Sequence, residues 1–155
     1  MRRKGQRGIT LVEMIVAFTI LALLAALSVP LARFKVRREH ERELRFALRE
    51  MRSAIDRYKD ACDQGVLGPP KIGSDCYPET LEVLVEGVKM ANDPSGKKIR
   101  FLRRIPRDPF TNTREWGMRA TQDDPASISW GGQNVFDVFS KTMERAGDGT
   151  AYSDW

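Results

Sequence analysis

RGITLVEMIVAFTILALLAALSVPLA, residues 7–32, decides how the rest of the chain is read. From Ile9 to Ala32 the run is apolar for 24 residues, broken by one acid, Glu13. A helix of that length spans a bilayer core of about 30 Å. Inside a bilayer a carboxylate costs roughly 2.5–3.5 kcal/mol on insertion scales, so Glu13 requires a partner charge. The leader ahead of the run holds Arg2, Arg3, Lys4 and Arg7 and no acid. Its positive charge orients the segment with the leader on the cytoplasmic side and the C-terminal part outside. The basic and apolar stretches together resemble a secretory signal, but no A-x-A-like cleavage site follows, so the segment is expected to be retained.

Outward from this segment, length and charge limit what remains. The 155 residues carry a formal charge of +5. Ten bases face six acids over residues 33–60, and twelve face fourteen over 61–155. The excess therefore lies in the leader and just beyond the apolar run, which reads as membrane orientation and not as a nucleic-acid footprint. Removing about 60 residues for leader and helix leaves roughly 95, enough for one small core.

Beyond Arg33 the apolar positions change face. Leu44, Leu48, Met51, Ile55, Tyr58 and Cys62 recur at alternating spacings of 4 and 3, with charged residues between them. No Gly interrupts the chain between Gly8 and Gly65. The spacing predicts one helix from about Ile9 to Ala61, roughly 80 Å at 1.5 Å per residue, with a bend at Pro30. Its second half is expected to lay the stripe against the head.

Cys62 and Cys76 are the only cysteines and flank DQGVLGPPKIGSD. A bridge between them would close a loop of about 15 residues and contribute around 3 kcal/mol in the chain-entropy account, which suits an oxidising compartment. Two free thiols are the alternative. PETLEVLVEGV places Leu81, Leu84, Val85 and Val88 at helical spacing, with Thr80 or its neighbours as the cap and Gly87 near the end. A turn is expected at residues 92–96, and RRIPRDPFTN is expected to be an extended loop bounded by prolines. Three short strands are expected near Trp116–Ala120, Ile128–Trp130 and Val135–Ser140, and no regular structure in RAGDGTAYSDW.

GITLVEM behind a short basic leader resembles the processing site of the type IV prepilin superfamily. The resemblance implies cleavage between Gly8 and Ile9 by a prepilin peptidase, N-methylation of Ile9, and Pro30 as the family's helix-bending proline. Family members most often have Phe after the cut, where this chain has Ile9. CYPETLEVLVEG, FLRRIPRDPFTN, FDVFS and GDGTAYSDW are similar in order and spacing to the motifs of one branch, the major pseudopilins of type II secretion. Two loops depart from the branch: DPFTNTREW stands for its DPWGNPYxY and SKTMERAGDG for its SLGADG.

The resemblance implies an α+β fold: a long N-terminal helix packed on a small head with a short helix and a three-stranded antiparallel sheet. The organisation it implies is a leader at 1–8, a transmembrane and filament-core helix at 9–32, an amphipathic stem at 33–62 and a periplasmic head at 63–155. It also implies self-association into a helical filament, with the Glu13 carboxylate meeting the Ile9 amine of a neighbouring subunit. Prepilin peptidase, an inner-membrane assembly platform and minor pseudopilins are the partners implied. Ala22, Ala25, Ala26 and Ser28 supply small surfaces for helix packing.

Calcium is the one candidate cofactor, on Asp148 and Asp154 with carbonyls near Ser140 and Tyr152; the alternative is that Asp148-Gly149 is a plain turn and Asp154 a solvated charge. His40, the sole histidine, lies among charged residues as a solvated helix position, and no nucleophile elbow or phosphate loop is present, so no enzyme is expected. A membrane-tethered enzyme and a type IV or DNA-uptake pilin are the alternatives. The basic run from Arg33 to Arg52 reads as interfacial anchoring plus salt links to acids of adjacent subunits, and nucleic acid is not expected as a partner.

Overall fold

The computed structural model describes residues 10–91 and 94–155, with the backbone alone for residues 27–33. The chain divides into two compact units, Met1–Glu39 and His40–Trp155. Helix α1, Leu11–Asp63, gives its N-terminal part to the first unit and its C-terminal part to the second.

In the first unit the side chains of Leu11, Val12, Met14, Ile15, Val16, Phe18, Ile20, Leu21, Leu23 and Leu24 are each more than half exposed. A helix apolar all round belongs in lipid or among other helices. Among the described residues no helix is long and apolar enough to cross a membrane. The expected span reaches beyond that set, since Ile9 and the side chains from residue 27 to Ala32 lie outside the described residues. The expected bend at Pro30 falls there too.

The second unit is built on the stripe of α1. Leu44, Leu48, Met51 and Ile55 are at most 2% exposed, and Ala47 and Ala54 fill the positions between them. Each of the four large side chains contributes roughly 1.5–3 kcal/mol by burial. Against them pack Leu81 and Leu84 of α2 (Leu81–Glu86), with Leu102, Trp116, Val135, Val138 and Tyr152. Thr80 occupies the cap position of α2 in extended backbone, but its side chain makes no capping hydrogen bond. Gly87 ends the helix at φ +81°, where a Cβ would lie 2.6 Å from the Ile99 carbonyl oxygen.

The sheet differs from expectation. Two antiparallel pairs form: β1 (Val88–Lys89) with β2 (Lys98–Ile99), and β3 (Gly117–Arg119) with β4 (Asp137–Phe139). In the second pair Gly117 faces Phe139 and Arg119 faces Asp137. The strand expected at Ile128–Trp130 is absent, so the three-stranded sheet is corrected to two two-stranded ones. Side-chain hydrogen bonds shape that stretch instead: Arg119 Nε donates to the Ser127 carbonyl at 2.9 Å, and Trp130 Nε1 to that of Asn134 at 2.7 Å. The β1–β2 pair was not expected, because two-residue strands leave no alternation to read. The tail also departs from expectation, with an isolated bridge between Arg145 and Ala151 and a 3-10 turn at Tyr152–Asp154.

Candidate functional site

Two sets of residues bear on function, one in each unit. In the first, Thr10 caps α1. Its Oγ1 accepts the Glu13 N–H at 3.3 Å and its carbonyl accepts that of Met14 at 3.1 Å. This places Glu13 in the first turn, where exposed N–H groups and the helix dipole favour a carboxylate. Glu13, Ala17 and Leu21 share one face and, with Met14 and Phe18, line a shallow depression of about 290 Å³. A charged group set among exposed apolar side chains makes a surface suited to being covered. Gly8 and Ile9 lie outside the described residues.

In the second unit, polar clamps hold the long loops on α1. Arg52 Nε donates to Asp137 Oδ1 at 2.7 Å, while its terminal nitrogen reaches the carbonyl oxygens of Val138 and Trp155 at 3.2 and 2.7 Å. Asp137 also faces Arg119 at 3.6 Å. Tyr152, fully buried, donates its hydroxyl to Glu41 at 2.9 Å and stacks on Phe110 at 4.2 Å. Arg45 lies 4.2 Å over the Trp155 ring. Arg45 and Arg52 of the basic run thus serve the head itself. His40 is half-buried edge-on to Phe110 at 5.7 Å, which corrects its expected place as a solvated position.

Asp108, from the DPF turn, has no exposed surface. Its Oδ1 accepts the Phe110 N–H at 2.8 Å and its Oδ2 the Ser140 hydroxyl at 2.5 Å, joining the two loops that depart from the branch. Asn134, equally buried, exchanges hydrogen bonds with Thr121 through both ends of its amide. Neither residue was assigned a role from sequence. For Asp108 the one available signal was an acid before proline between two extended stretches, a turn former whose burial depends on distant Ser140.

The expected calcium ligands are placed as follows. Asp148 Oδ1 accepts the backbone N–H of Thr150 at 3.0 Å and its hydroxyl at 2.7 Å, and these bonds hold the carboxyl below its ordinary pKa. Asp154 accepts the Ser153 hydroxyl at 3.3 Å. The Ser140 hydroxyl is committed to Asp108. Among the described residues no group of three or more His, Cys, Asp or Glu gathers at one point. Calcium on this tail would therefore draw most of its six to eight oxygens from backbone carbonyls. Cys62 and Cys76 form a disulfide with Cα atoms 5.6 Å apart.

A capped apolar helix with one acid in its first turn, continuing into the core helix of a small α+β head, is the architecture of filament subunits of the pilin type. A family model described as the prokaryotic N-terminal methylation motif matches residues 3–29. Type II secretion system core protein G of Pseudomonas aeruginosa is 30% identical over 122 residues, covering 75% of this chain and 76% of that protein. The protein of the same name from Klebsiella michiganensis is 27% identical over 148 residues, covering 93% and 88%. No solved structure matches the chain. The chain belongs to the family of type II secretion system core protein G, the pseudopilins: it is a structural subunit of a pseudopilus and not an enzyme.

Proposed function

We propose that this subunit is made as a prepilin, cut between Gly8 and Ile9, N-methylated at Ile9 and polymerised out of the inner membrane. Residues 9–32 serve as the anchor before assembly and as the filament core afterwards. Residues 1–8 face the cytoplasm, and the stem from 33 to 62 and the head from 63 to 155 face the periplasm. The observation that carries this reading is Glu13, capped into the first turn of a helix whose large apolar side chains from Leu11 to Leu24 are each more than half exposed. Removing one member of a buried charge pair costs about 3–5 kcal/mol, so a lone carboxylate there calls for an opposite charge. The new amine of Ile9 on the next copy supplies it.

The filament grows on an inner-membrane platform with minor pseudopilins and helps drive folded proteins outward. Mass spectrometry of the assembled protein tests the processing step. A chain beginning at N-methylated Ile9 supports it, and an intact leader on assembled subunits overturns it.

Calcium on the tail is a separate proposal, supported by an Asp148 carboxyl that the Thr150 N–H and hydroxyl hold below its ordinary pKa and by the turn at Gly149, φ +89°. Melting in calcium against chelator tests it. A rise in Tm that Asp148→Ala abolishes supports binding, and identical melting in both conditions removes it.

A further inference from the structure

Cys62 lies in the last turn of α1, and Cys76 follows directly after Asp75. Asp75 and Cys76 both have left-handed backbone, φ 50° and 61°. Aspartate tolerates that region and cysteine seldom adopts it, so the surroundings must hold it there. The turn aims Asp75 at a distant loop. Its Oδ2 accepts the Thr121 hydroxyl at 3.1 Å and the Gln122 amide nitrogen at 3.2 Å. Thr121 is bonded in turn to buried Asn134. Tyr77 meets Phe136 edge-on at 5.3 Å, and the Pro78 carbonyl accepts the Val135 N–H at 2.7 Å. Residues 75–78 thus bridge the end of α1 and the connection between β3 and β4. The first part of the closed loop is tied independently of the bridge, with the Val66 N–H on the Ala61 carbonyl at 2.9 Å and Leu67 paired with Met90, whereas beside Cys76 the Ser74 and Tyr77 N–H groups bond to the Lys71 and Ser74 carbonyls at 3.1 and 2.9 Å.

We propose that the Cys62–Cys76 disulfide is a redox-sensitive clip that sets the conformation of the 120–124 loop through Asp75. Oxidised, it holds residues 75 and 76 left-handed and docks Asp75 on Thr121 and Gln122. Reduced, Asp75 and Cys76 relax out of the left-handed region, Asp75 leaves, and the 120–124 loop loosens. The core around Leu48 and Ile55 stays folded, because its burial needs no contact from the bridge. Reduction by a dithiol breaks the S–S bond. The two sulfurs gain two electrons and two protons, and the dithiol becomes a cyclic disulfide. The clip is a property of the head and stands apart from the filament reading.

The test is amide hydrogen exchange on the full chain in detergent, oxidised and after treatment with dithiothreitol. Reduction speeds exchange at Ser74 and Tyr77 and, by about tenfold or more, at Thr121, with Leu48 and Ile55 unchanged. Asp75→Ala in the oxidised chain speeds Thr121 to a similar extent and leaves Ser74 and Tyr77 slow. Equal exchange at Thr121 in both redox forms overturns the clip. So does exposure of Leu48 and Ile55 on reduction, since the bridge would then only keep the head folded. An Asp75→Ala chain whose Thr121 exchanges as slowly as the unaltered one also overturns it.

Discussion

Asp108 spends both carboxylate oxygens on partners from different loops, so its removal strands the buried Ser140 hydroxyl and two part-buried backbone N–H groups. Orphaned buried donors cost about 1–3 kcal/mol each when no water reaches them. Asp108→Ala should lower unfolding stability by about 2–4 kcal/mol in a urea titration, and a loss under about 0.5 would contradict its role. Asp123 acts from the surface. Its Oδ2 accepts the Ala120 and Gly131 N–H groups at 2.7 and 3.0 Å, which pull its pKa below 3.8. A pKa lowered on folding adds stability above the unfolded value, and that stability is lost as pH falls through the folded one. The chain should therefore lose stability below about pH 4, and Asp123→Asn should make that loss shallower. Of such residues the sequence revealed Glu13, whose meaning comes from its immediate neighbours. Asp108, Asn134 and Asp137 take theirs from residues 32, 13 and 85 positions away, and a single sequence does not show those.

The helices were the most legible elements. Six positions of α1 at alternating 4 and 3 spacing name its buried face, and all six lie against the head interior. Leu48→Ala should cost about 2–5 kcal/mol by thermal or chemical unfolding, since Leu48 is 2% exposed in the middle of that face. The strands were less legible, because pairs two or three residues long carry almost no periodicity. Ile128, which suggested a third strand, is 81% exposed. Its segment is shaped by Arg119, Asp123 and Trp130 bonding to nearby backbone. The β3–β4 pair depends on a missing side chain: a Cβ on Gly117 would lie 2.3 Å from the ring of Phe139, itself buried. Gly117→Ala should destabilise by about 1–3 kcal/mol, and Phe139→Leu should recover part of that loss by making room. If Gly117→Ala melts with the unaltered chain, the close approach is not a constraint.

At the scale of the whole chain, organisation was readable because its segments differ so sharply in composition: a basic leader, an oily run with one acid, a charged stem and a mixed head. The +5 charge looks like a nucleic-acid signal only until its bases are located. Four lie in the leader, and Arg45 and Arg52 are engaged with Trp155 and Asp137. What composition left open was how the head is held together, because that depends on loops meeting α1 through Arg52, Glu41 and the disulfide.

The central claim concerns how copies of the molecule meet: Glu13 must find a positive charge on its neighbour when the subunit leaves the membrane. Substituting Glu13→Ala and measuring filament formation by electron microscopy, in cells carrying the secretion machinery, tests this most directly. The variant should still be cut after Gly8 and still fold its head, yet yield few or no filaments. Filaments as abundant as those of the unaltered chain would contradict it.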